Sequence, residues 1–188
     1  MLLKICGIRT LEEIEIINKA QVDYAGFVFA EHRQKIDMET AKTLKAALEP
    51  NIKSVGVFVD EDEDFIRNIV QEGIIDLVQF HGKNEYKMPC ETIKAFRIRT
   101  EEDIGETNCD FVLFDSNSEG SSGIMFDWNI IKDYSEKPFF LAGGINITNI
   151  RKAIELNPYC IDISSGAEEN GKKSFNKIKE IANVIKIR

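Results

Sequence analysis

The chain has 188 residues, with 24 Lys+Arg against 32 Asp+Glu for a formal charge of −8, and 43% of it is hydrophobic. A chain of this size builds a core without help from disulfides or a metal, and its acidic balance excludes the basic stripe of a general nucleic-acid binder while leaving room for a local anion pocket. No apolar run reaches the roughly 18–20 residues of a membrane-spanning helix, so neither nucleic acid nor membrane is an expected partner.

The opening Met1-Leu-Leu-Lys-Ile-Cys6 lacks a signal peptide's basic flank and long apolar stretch. The mature chain is therefore expected to begin at Met1 and to work in the cytoplasm. Cys6, Cys90, Cys109 and Cys160 have neither Cys-x-x-Cys spacing nor the density of a disulfide scaffold, which predicts reduced thiols.

In chain order, short apolar runs predict strands at 2–5, 24–29, 53–59, 77–80, 92–96, 111–114, 139–142 and 161–163. Apolar residues recurring at three and four predict helices at 11–19, 39–48, 62–71, 147–156 and 175–186. Thr10 and Glu13 have capping-box spacing at the start of the first helix. The acidic run at 60–64 fits the first turn of the third helix, where carboxylates meet the helix dipole, better than it fits a metal site. Segments 83–89, 100–108 and 128–134 are short and predict truncated helices. Eight strand-and-crossover units in 188 residues predict an α/β fold, a compact (β/α)8 TIM barrel, as one domain over 1–188.

In such a barrel the residues just after each strand form the catalytic face. Here they are Cys6-Gly7, His81-Gly82, Asp115-Ser116, Gly143-Gly144 and Ser164-Ser165-Gly166. Side chains two apart share a strand face. With Leu3 and Ile5 packed outward, Lys4 and Cys6 point into the barrel, as do Gln79, His81, Asp115, Asp162 and Ser164. Cys6 is either a small buried hydrophobe or, at a strand end rich in amides, a thiol of lowered pKa. His81 is either a structural histidine or a ligand contact. Lys4 and Asp162 either pair across neighbouring strands or serve a substrate, whereas Asp115 is harder to explain as structural, since an unpaired carboxylate at the end of Phe-Val-Leu-Phe is costly unless used. Gly143, Gly144, Ser164, Ser165 and Gly166 follow strands seven and eight, where barrels commonly hold phosphate on backbone amides, and Asn146 is the expected cap of the next helix. Gly120-Ser-Ser-Gly123 reads either as a lid over a ligand or as a surface turn.

Taken together, Lys4-Ile-Cys-Gly-Ile8, Gly26-Phe-Val-Phe29, Val78-Gln-Phe-His-Gly82, Phe114-Asp-Ser116, Phe126-Asp-Trp128, Ala142-Gly-Gly-Ile145 and Asp162-Ile-Ser-Ser-Gly166 resemble the phosphoribosylanthranilate isomerase family along nearly the whole chain. The resemblance implies an Amadori rearrangement of a phosphorylated small molecule in tryptophan biosynthesis, without metal or organic cofactor. It casts Asp115 as the general acid and Cys6 as the general base, gives Gly144, Ser165 and Gly166 the phosphate, and puts His81 and Asp162 beside the sugar and ring. It also implies an arginine in the loop after strand two for the anthranilate carboxylate. This sequence has Gln34 there, flanked by Arg33 and Lys35, so either the loop slips by one residue and Arg33 is the substrate-binding residue, with Lys35 next, or the carboxylate is held more weakly. Ser121 departs from the family's paired glycines. Rival readings are the related histidine-pathway sugar isomerase, against which a catalytic thiol argues, and a barrel that binds a phosphosugar without turning it over. Monomer and homodimer are equally compatible with the sequence.

Overall fold

The computed structural model describes residues 1–116 and 126–186. Eight parallel strands close into a barrel in sequence order, β1 pairing with both β2 and β8. They are β1 Leu2–Cys6, β2 Tyr24–Val28, β3 Lys53–Phe58, β4 Leu77–Phe80, β5 Glu91–Ile98, β6 Phe111–Ser116, β7 Phe139–Leu141 and β8 Cys160–Ile163. Closure leaves no edge strand with unpaired amides. Alternation then divides the core in two. Leu3, Ile5, Phe27, Phe58 and Phe114 pack outward beneath the helices. Tyr24, Val55, Ile93, Leu113 and Phe140 fill the barrel interior.

The helices are α1 Leu11–Ala20, α2 Met38–Ala47, α3 Glu63–Gln71, α4 Ile150–Glu155 and α5 Phe175–Lys186. Thr10 caps α1, its hydroxyl accepting the Glu13 amide at 3.2 Å. The other half of the box is displaced, because the Glu13 carboxylate takes the Arg9 amide at 2.7 Å. Asp62 caps α3 and only Glu63 and Asp64 lie in its first turn. Asp60 instead holds the Asn84 amide at 2.8 Å, tying the loop after β3 to the loop after β4. Among the described residues no group of three or more His, Cys, Asp or Glu is placed to hold a metal.

The predicted short helices shrink further. Segment 83–89 is irregular, Glu101–Asp103 is a single 3-10 turn, and Trp128–Ile131 is another. Segments 83–89 and 100–108 carry too few apolar residues at helical spacing to repay a longer helix. After β7, the Asn146 carboxamide accepts the Thr148 amide at 2.9 Å and so stabilises a turn; α4 begins later, at Ile150. A hairpin after β8, formed by β9 Glu168–Glu169 and β10 Lys172–Lys173, was not foreseen. Its turn residues Asn170 and Gly171 both have positive φ, 52° and 77°, as a two-residue hairpin turn requires. No described helix is long and apolar enough to cross a membrane.

Candidate active site

A cavity opens at the C-terminal ends of the strands. Its wall includes Cys6 from β1, His81 after β4, Asp115 from β6 and Asp162 from β8, with Gly143, Gly144, Ser164, Ser165 and Gly166 along one side. Strand parity brings these distant residues together, since each is the last inward position of its strand or lies in the loop that follows. The Gly120–Gly123 segment and Ser121 lie outside the described residues.

Two close approaches make room for Cys6 and Asp115. A Cβ on Gly26 would fall 2.7 Å from the Cys6 sulfur, so β2 can lie against Cys6 only with glycine there. A Cβ on Gly143 would fall 2.6 Å from the Ser116 amide and 3.0 Å from Asp115 Oδ1. Gly143, expected only as part of the phosphate cradle, therefore also seats the Asp115 carboxylate. Among the described residues none accepts a hydrogen bond from the backbone N–H of Gly144, Ser165 or Gly166. Amides left without a protein acceptor beside a cavity are a natural anion cradle.

Beneath the floor, Lys4 is fully buried and donates to Asp162 Oδ2 at 2.7 Å and to Gln79 Oε1 at 2.8 Å. This settles that Lys4 and Asp162 pair across β1 and β8. Asp162 Oδ1 is buried and has no hydrogen-bond partner among the described residues, and the residue also lines the cavity. Asp162 thus holds Lys4 with one oxygen while the residue forms part of the cavity wall. Burial alone would lower the Lys4 pKa, but Asp162 and Cys6 outweigh it and the ammonium is held above its ordinary range.

Burial, reinforced by the charge of Asp162, raises the Asp115 carboxyl to about 6, against the opposing pull of the Ser116 amide, Arg97 and Lys4. Burial lowers His81 to about 3, helped by Lys4 and Arg97, so its imidazole is neutral at physiological pH. Cys6 departs from expectation. The strand end does not lower its pKa, because desolvation pushes the thiol up more than Lys4 and Lys173 pull it down, and Asp162 adds to the rise. Without a ligand, Cys6 is a thiol and Asp115 titrates near neutrality.

The loop after β2 also differs from expectation. Arg33 is exposed, stands outside the cavity lining and places its guanidinium on Glu168 at 2.9 Å. Lys35 pairs with Glu31 at 2.8 Å and is likewise off the wall. The wall position belongs to Gln34, which is buried; its amide donates to Glu168 at 2.6 Å and accepts from the Ser164 hydroxyl at 3.2 Å. Glu168 comes from the unforeseen hairpin, and Lys173 from the same hairpin holds it at 3.0 Å. Sequence reasoning also passed over Arg97, which lines the cavity. Strand β5 was expected to stop at Phe96. It runs to Ile98, and the inward series Ile93, Ala95, Arg97 carries the guanidinium to the barrel mouth beside Asp115, its register partner on β6. Continuing the alternation through the charged residue was the signal that could have found it.

A closed parallel barrel with a thiol, a carboxyl and a row of amides that have no acceptor among the described residues, all at the C-terminal strand ends, defines a (β/α)8-barrel protein. A family model described as N-(5'phosphoribosyl)anthranilate (PRA) isomerase matches residues 3–184. The chain belongs to the N-(5'-phosphoribosyl)anthranilate isomerase family. It is 43% identical to the N-(5'-phosphoribosyl)anthranilate isomerase of Endomicrobium trichonymphae, over 98% of each chain. The crystal structure of phosphoribosyl anthranilate isomerase from Thermus thermophilus superposes with a TM-score of 0.88 at 28% identity, covering 100% of both chains. A phosphoribosyl anthranilate isomerase solved in complex with reduced 1-(o-carboxyphenylamino)-1-deoxyribulose 5-phosphate gives 0.83 at 29% identity, over 97% of each chain.

Proposed function

We propose that this chain converts N-(5-phosphoribosyl)anthranilate into 1-(2-carboxyphenylamino)-1-deoxyribulose 5-phosphate, an Amadori rearrangement in tryptophan biosynthesis, as a cytoplasmic, single-domain enzyme. The observation that carries the reading is the sharing of one cavity wall by Cys6, Asp115 and the unpaired amides of Gly144, Ser165 and Gly166, in a chain of this family. The phosphate is held by those amides with Gly143 and the Ser164 and Ser165 hydroxyls beside them. His81 and Asp162 face the sugar and ring.

Asp115 donates its proton to the ribose ring oxygen as the C1–O bond breaks, and the nitrogen lone pair forms the protonated Schiff base. Cys6 thiolate then removes the C2 proton, and the electrons of that C–H bond neutralise the iminium to give an enolamine. Protonation at C1 and loss of the enol proton yield the ketone, so substrate and product are isomers. The working state needs a thiolate and a carboxylic acid together, which is one proton shared between two groups. The ligand-free site favours the opposite placement, thiol and carboxylate, so the productive form is the minor tautomer of the pair and acts as it is drawn off by substrate.

The test is the loss of anthranilate-type fluorescence when the purified chain meets phosphoribosylanthranilate. Turnover is the expected result. Binding without turnover would overturn the catalytic reading and leave a phosphosugar-binding barrel.

A further inference from the structure

We infer that Arg97, on β5, is the receptor for the anthranilate carboxylate, in place of any cation from the loop after β2. The inference rests on the substrate proposed above, which carries two anions: a phosphate, and the benzoate carboxylate at the other end of a five-carbon sugar. The phosphate cradle lies after β7 and β8. Around the rim from it come Gly143 after β7, Asp115 on β6, and then Arg97 on β5. A cation at Arg97 therefore stands on the far side of Asp115 from the cradle, as a molecule anionic at both ends requires if its sugar is to lie over that carboxyl.

The other cations near the cavity are committed. Lys4 is bound to Asp162, Lys173 and Arg33 to Glu168, and Lys35 to Glu31. None of these four lines the cavity. Both histidines on the wall, His32 and His81, have lowered pKa values through burial, so neither supplies a lasting positive charge. Arg97 is then the one permanently charged cation on the wall among the described residues, and among them it has no ion-pair partner. An arginine fork presents two parallel N–H donors, matched to the two oxygens of a carboxylate. Gln34 cannot substitute, since it is neutral and its carboxamide is engaged at both ends by Glu168 and Ser164.

The test compares two ligands on the full chain: the reduced product analogue, and the same molecule with the benzoate carboxylate replaced by hydrogen. Arg97→Gln is expected to weaken the carboxylated analogue by about 10- to 100-fold, the worth of a charge-assisted pair. The descarboxy analogue should stay within about threefold of its native affinity, as for an independent contact. Arg97→Lys, which keeps the charge but loses the fork, should fall between the native chain and Arg97→Gln on the carboxylated ligand alone. Equal weakening of both ligands, or of neither, would overturn the inference. If the native chain turns over phosphoribosylanthranilate while Arg97→Gln binds both ligands normally, only the Arg97 assignment falls. If the native chain neither binds nor turns over the carboxylated compounds, the proposed function falls with it.

Discussion

Replacing Lys4 with Met tests the buried charge network under the site. Methionine keeps most of the apolar volume of the lysine stem and removes the ammonium. Asp162, only 7% exposed, then loses the partner of Oδ2, while Oδ1 has none to begin with. Gln79 loses its donor as well. Breaking one side of a buried ion pair costs about 3–5 kcal/mol. For a chain of this length that lowers Tm by roughly 6–20 °C. A Lys4→Met/Asp162→Leu double variant removes both charges and should recover most of the loss. The assay is urea unfolding at pH 7 of the native chain, both single variants and the double. A loss below about 1 kcal/mol in Lys4→Met, the size of an exposed pair, or a double variant no more stable than Lys4→Met, would refute the claim that the two charges are desolvated and mutually dependent. Lys4 also pulls the Cys6 thiol down. Its loss should therefore move alkylation of Cys6 to higher pH, with Cys6→Ser as the blank for the other thiols.

Cys6→Ser and Asp115→Asn should each lower kcat by about a hundredfold or more, the range for losing a positioned base or acid; near-native turnover in either removes that residue from the mechanism. The same Asp115→Asn change should stabilise the fold at neutral pH. Because the folded carboxyl is raised from 3.8 to about 6 by burial and Asp162, the folded state binds its proton more tightly than the unfolded chain. Its contribution is therefore complete below the lower value and lost as pH rises through the upper. The variant is expected to gain about 1–3 kcal/mol at pH 7 and nothing at pH 3.5, and a gain independent of pH would contradict this origin. In kcat/KM the Asp115 group should appear as an acid limb near pH 6, below which the pair carries two protons and the base is lost; a flat profile from pH 5 to 7 would remove the shared-proton scheme. Gly26→Ala forces a Cβ to within 2.7 Å of the Cys6 sulfur and should depress kcat strongly; native kcat would show that β2 gives way without moving Cys6. Arg33→Ala should change KM by less than about threefold, as expected for an exposed pair, and a large rise would return the carboxylate to that loop.

Much of this molecule is written in local pattern. Strand alternation at Lys4 and Cys6, at Gln79 and His81, and at Asp115 is enough to aim those side chains inward, because a period of two is a property of the strand itself. The glycine and serine runs after the seventh and eighth strands likewise mark an amide-rich rim before any fold is known. Only the tertiary structure decided what those groups meet. Arg33 is held by Glu168, 135 residues away, from a hairpin with no apolar signature. Arg97 reaches the mouth because β5 extends beyond its hydrophobic run. The thiol of Cys6 rises although its strand end suggested the reverse, since lost water, reinforced by Asp162 on β8, outweighs the opposing pull of Lys4 on β1 and Lys173 on β10. Periodicity is carried by neighbours along the chain, whereas desolvation and Coulomb pairing depend on neighbours in space, and closing the barrel is what chooses them.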